Sequence, residues 1–124
     1  MNRDYPMIQA HLKEILERSG VFPPGVVLAV QEGPGKAIRM SCSWRLENDP
    51  EQPDKRSTPI KILLHGHAAA LFRNANPRTL KQLDEALVRL VARRMKRYRA
   101  DHGLRYYRRP PPFEIRIDAV DLGS

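Results

Sequence analysis

The sequence predicts a single α+β domain built as a two-layer sandwich, in which a mostly antiparallel four-stranded sheet carries two helices on one face. Two segments space their apolar residues three and four apart, as helices do. Four short runs are β-rich, most of them alternating apolar with polar residues, and Pro/Gly punctuation separates the elements. The resulting order, α-β-β-β-α-β, lets two layers bury every apolar stripe. At 124 residues the chain has no room for a second independent core, so residues 1–124 read as one domain.

Residues 4–19 place Ile8, Leu12, Ile15 and Leu16 at helical spacing, with Asp4 before Pro6 as a start signal and Gly20 as a stop. Pro23-Pro24-Gly25 closes the connection, Val26 to Gln31 reads as a strand, and Gly33-Pro34-Gly35 marks a hairpin. From Lys36 to Glu47 the pattern alternates, with Ile38, Met40, Cys42, Trp44 and Leu46 on one face and Arg39, Ser41, Ser43 and Arg45 on the other. Residues 47–59 hold three prolines and no large apolar side chain, which predicts a mobile acidic loop within the domain. Ile60, Ile62 and Leu64 alternate with Lys61, Leu63 and His65 as the third strand, and His67 to Asn74 read as the start of a short helical turn. Asn76-Pro77 then caps a long helix whose stripe is Leu80, Leu83, Leu87, Leu90, Val91, Met95 and Tyr98, ending near Gly103. Pro110-Pro111-Pro112 lead into a last strand, Phe113 to Asp118. Glu114, Arg116 and Asp118 are expected on the solvated sheet face with Arg39 and Ser41.

The formal charge is +8, from 22 Lys and Arg against 14 Asp and Glu, and it is concentrated. Residues 93–109 hold eight cations, Arg93, Arg94, Lys96, Arg97, Arg99, Arg105, Arg108 and Arg109, against the single anion Asp101, while the rest of the chain is nearly neutral. Such asymmetry points to an anionic partner. Arg78, Gln82, Glu85, Arg89, Arg93 and Lys96 fall opposite the leucine stripe with Arg97 beside them, a pattern that an ordinary solvated helix face also produces. Cations in a last turn, moreover, complement the helix dipole. The functional reading adds Tyr98, Tyr106 and Tyr107, because cations neutralise phosphates while aromatic faces stack on unpaired bases. Arg94 lies on the apolar side of the wheel, where its stem is expected to snorkel, with Asp118 or Glu114 as a partner.

Other chemistries leave little trace. No Gly-rich phosphate loop, nucleophile elbow or helical His-Glu pair is present, so no catalytic residue and no small-molecule substrate is assigned. His65-Gly66-His67 offers two imidazoles that Cys42 or His102 would have to complete. A zinc site needs three or four ligands at characteristic spacing, so neither metal nor cofactor is expected and the pair reads as a strand end. The lone Cys42 packs on the apolar side of its strand and fits a reducing compartment. The longest apolar stretch, Val26 to Val30, falls far short of the roughly 20 residues a bilayer crossing needs, and a cytoplasmic location is expected.

Residues 4–102 resemble the double-stranded RNA-binding domain in element order. That family has cations at the start of its second helix, where this chain has Arg78 and Lys81 around Thr79-Leu80. Here the cluster lies at the opposite end, and the strand at 113–118 is additional. The Ser43-Trp44 step, the Arg93-Arg94-Met95-Lys96 run and the closing Phe113-Glu114-Ile115-Arg116-Ile117 are similar to a group of short bacterial proteins of unknown function. That resemblance implies a compact α/β domain and carries over no functional residue. The expectation is a non-enzymatic domain binding a polyanion, nucleic acid foremost, through Arg93, Lys96, Arg97, Arg105, Arg108 and Arg109, with Tyr106 and Tyr107 stacking on a single strand. The alternatives are a module docking an acidic protein or recruiting a strand at its sheet edge, and an enzyme with a dispersed site. The oligomeric state is not legible at this stage.

Overall fold

The structure is a computed structural model that describes residues 4–44, 57–98 and 112–123. Helix α1 (Tyr5–Arg18) leads into a hairpin of β1 (Ala29–Glu32) and β2 (Ile38–Cys42), followed by β3 (Ile60–Leu64), α2 (Gly66–Asn74), α3 (Pro77–Met95), β4 (Phe113–Ile117) and a closing 3-10 turn at Ala119–Leu122. The class is α+β, as expected, but the sheet is mixed and the described residues form three helices.

Each helix starts where its sequence allows. The Asp4 carboxylate accepts the Met7 N–H at 2.9 Å and the Asn76 side chain accepts the Thr79 N–H at 2.8 Å, so α1 and α3 both carry side-chain N-caps with proline in the first turn. In α1, Ile8, Leu12 and Leu16 repeat every fourth position and are fully buried, each contributing about 1.5–3 kcal/mol by leaving water. The β1–β2 hairpin closes with the Gly33 N–H donating to the Ala37 carbonyl at 2.7 Å. Its turn needs left-handed backbone at Gly35 and Lys36 (φ 62° and 63°).

The strand order is β1-β2-β3-β4, with the first two pairings antiparallel and β3–β4 parallel. The expectation of a mostly antiparallel sheet is corrected for β4. The chain leaves the end of β3, crosses the sheet through α2 and α3, and re-enters beside the start of β3, so β4 must run in the same direction. The short helical turn expected at 67–74 is a packed helix of nine residues, with Ala68, Ala69 and Phe72 buried. β2 ends at Cys42 rather than Glu47, and α3 ends at Met95 rather than near Gly103. The expected loop at 47–59 falls mostly outside the described residues. Its final part is held, because the Ser57 N–H donates to the Trp44 carbonyl at 2.7 Å and the Trp44 N–H donates to Ser57 Oγ at 2.9 Å.

One core joins the inner sheet face to the three helices: Ile38, Met40, Cys42, Ile60, Ile62, Leu64, Ile115 and Ile117 meet Leu12, Phe72, Leu87 and Val91. Arg39, Lys61, Glu114 and Arg116, on the other face, are exposed.

Candidate polyanion-binding surface

Every third or fourth residue of α3 from Leu83 to Val91 is buried, which leaves Arg78, Gln82, Glu85, Arg89 and Arg93 on the solvent side. All five are exposed, as the wheel requires. Beyond Met95 the chain makes one further turn, in which the Lys96, Arg97 and Tyr98 N–H groups donate to the Arg93, Arg94 and Met95 carbonyls at 3.0–3.3 Å. Arg93, Lys96 and Arg97 all project into solvent here, and among the described residues none of them has a carboxylate partner. Arg94 is exposed as well. The expected partnership does not form, since Glu114 pairs with Arg116 at 3.4 Å and Asp118 is engaged in a reciprocal cap with Asp121. The sequence-predicted Arg105, Tyr106, Tyr107, Arg108 and Arg109 lie outside the described residues.

Tyr98 has a different role from the one its sequence context offered. Its hydroxyl donates to the Thr58 carbonyl at 2.5 Å, and its ring meets Trp44 and Phe113 edge-on at centroid separations of 5.6 and 5.5 Å. Burial pushes its phenol pKa up. This ring is therefore a pin rather than a stacking platform for bases. It fastens the end of α3 to the segment preceding β3 and to the first residue of β4, so the stretch rich in arginine departs and returns at one point.

The open sheet face forms a second polar surface. The register sets Gln31, Arg39, Leu63 and Arg116 in one row and Ser41, Lys61 and Glu114 in the next. Sequence reading found Arg39, Ser41, Glu114 and Arg116 by their period of two but left out Lys61, which becomes their neighbour only when β3 is put in register. Arg45 lies outside the described residues. This face mixes signs and contains no aromatic ring among its described residues, so it lacks the means to stack on bases.

An open cleft at the far end of β3 is lined by His65, His67, Lys36, Arg73 and one carboxylate, Asp118. Both imidazoles are thus brought to one place, with Lys36 and Arg73 added by folding. The His65 backbone N–H donates to the Ile117 carbonyl at 2.9 Å, the role of a strand end. Among the described residues no three His, Cys, Asp or Glu side chains converge as a metal would require. Cys42 is buried between the sheet and helices, and burial pushes its thiol up to about 11, which keeps it protonated and inert. No described helix is long and apolar enough to cross a membrane. Compared with protein-family models, with curated proteins and with solved structures, the chain finds no match.

Proposed function

We propose that this chain is a non-enzymatic, cytoplasmic binding domain that engages a polyanion, nucleic acid foremost, through the cationic end of α3. The observation that carries the reading is the exposed trio Arg93, Lys96 and Arg97 at a helix end, without a carboxylate partner among the described residues, which three buried leucines and the Tyr98 pin hold in place. Cations at this end also complement the helix dipole, but that effect is worth only about 0.3–1 kcal/mol per charge and does not require the further Arg99, Arg105, Arg108 and Arg109. Phosphate contacts supply the affinity and little sequence is read. Tyr106 and Tyr107 add stacking where the ligand is single-stranded, and Tyr98 does not.

An NMR titration with short single- and double-stranded oligonucleotides at low salt tests the assignment. The amides of residues 93–97 are expected to shift, while those of Arg39, Lys61 and Arg116 stay in place. Shifts confined to the sheet face, or none at all, would overturn it. An acidic peptide that moves the same amides when no nucleic acid does so would transfer the surface to a protein partner.

A further inference from the structure

The sheet has two free edges among the described strands, β1 and β4, and they differ in what they offer. β4 gives one side of its backbone to β3: the Phe113 N–H donates to the Pro59 carbonyl at 2.8 Å, and the Ile117 carbonyl accepts from the His65 N–H at 2.9 Å. In a parallel ladder the same side is used by every second residue, so Phe113, Ile115 and Ile117 face β3. The N–H and C=O groups of Glu114 and Arg116 therefore point outward from the edge, and no described residue takes them. Their side chains stand on the open sheet face, where each is more than half exposed and the pair is 3.4 Å apart.

We propose that β4 pairs antiparallel with β4 of a second copy of this chain, about a two-fold axis through Ile115, joining the two sheets into one of eight strands. The segment Phe113-Glu114-Ile115-Arg116-Ile117 is complementary to itself in this register. Glu114 stands opposite Arg116 of the second copy and Arg116 opposite Glu114, on both sides of an Ile115 pair. These opposed residues are the ones whose backbone groups point outward, so they form the two hydrogen-bonded pairs of an antiparallel ladder. Charge also fixes the register. A slip of two residues in one direction sets Glu114 against Glu114, and in the other Arg116 against Arg116, and like charges directly opposite each other are destabilising. The pairing brings the two inner, apolar faces to the same side. It also sends the two Phe113 ends, each fastened to an α3 terminus through Tyr98, to opposite ends of the joint, which keeps the two cationic turns apart.

β1 has no such complementarity. The Gly33 to Ala37 bond and the pairing of Gln31 with Arg39 turn Ala29 and Gln31 toward β2 and leave Val30 and Glu32 outward. Self-pairing there would oppose an apolar residue to a carboxylate. The intramolecular Glu114–Arg116 pair is exposed and so is easily exchanged for its intermolecular equivalent.

The test is sedimentation equilibrium of the full chain from micromolar to millimolar concentration, with wild type, Glu114→Lys, Arg116→Glu and the double exchange. The proposal predicts a reversible dimer that each single reversal weakens at least about tenfold, since it turns two attractive pairs into two repulsive ones, and that the double exchange restores. Amide hydrogen exchange of the wild type is read in parallel and needs no variant. Glu114 and Arg116 should gain protection as concentration rises, and Val30 and Glu32 should not. A chain that stays monomeric throughout, a dimer indifferent to both reversals, or protection appearing at Val30 and Glu32 instead would overturn the proposal.

Discussion

Gly66, the first residue of α2, lacks a side chain because the β1–β2 turn packs against it: a methyl group at this position would run into the Gly35 carbonyl. Backbone cannot retreat as a flexible side chain can. Gly66→Ala should therefore destabilise by about 1–3 kcal/mol in spite of its better helix propensity, read as a fall in Tm. Glu17 joins α1 to the strand entrance. Its carboxylate accepts Lys13 Nζ at 2.6 Å and the Leu28 N–H at 2.8 Å, and these bonds, the lysine first, hold its pKa below the ordinary 4.5. A depressed carboxylate stabilises the fold above its unfolded pKa, and that contribution disappears as pH falls through the folded value. Glu17→Gln should thus cost about 1–2 kcal/mol at neutral pH and progressively less as pH falls below the ordinary carboxylate value of 4.5, followed by urea titration at several pH values. Cys42 behaves in the opposite sense. Its thiol rises from the ordinary 9.0 to about 11, so its contribution is complete below pH 9 and is lost as pH climbs toward 11. Native Cys42 should resist alkylation at pH 8 while urea-unfolded chain reacts, and equal rates would contradict its burial.

The elements show where sequence patterns carry information and where they do not. α1, β3 and α3 were legible because their apolar periods are long or unambiguous, and β3 starts at Ile60 as expected but ends at Leu64, one residue before the expected His65, which caps α2 instead. α2 was under-read because its buried face consists mainly of Ala68 and Ala69, which add little to a hydrophobic period, and because its first residue, Gly66, is a poor helix former. The direction of β4 is not written within the strand at all. It follows from the crossover that precedes it. Tyr98 belonged to the stripe by spacing and to the basic cluster by neighbourhood. Contact with Trp44, Thr58 and Phe113, all distant in sequence, decides between them. If the pin holds both ends of the arginine-rich stretch, Tyr98→Phe should cost about 1 kcal/mol for one hydrogen bond, whereas Tyr98→Ala should cost about 3–5 kcal/mol. Tyr98→Ala should also speed amide exchange at Phe113 and Ser57. Thermal melts and exchange rates read these separately.

At the scale of the whole molecule, the sheet and its inner face are accounted for by burial, and the remaining asymmetry is electrostatic. Nearly all of the net charge of +8 lies in residues 93–109, of which Arg93, Arg94, Lys96 and Arg97 stand at the end of the longest described helix, while the open sheet face sets Arg39, Lys61 and Arg116 beside Glu114. The charge cluster was legible from the sequence because it is local. The neighbourhood of Lys61, and the arrival of Lys36 and Arg73 beside His65 and His67, depend on strand register and chain reversal, which no local pattern encodes. The most direct measurement is the salt dependence of binding, by fluorescence anisotropy of labelled single-stranded and duplex DNA and RNA, for the wild type and an Arg93→Ala, Lys96→Ala, Arg97→Ala triple variant. Each phosphate contact contributes about 0.7–0.9 to the slope of log affinity against log salt, so the account predicts that the triple variant loses roughly 2 units of slope and binds weakly. An unchanged slope, or no binding by the wild type at low salt, would contradict the assignment of this surface to a polyanion.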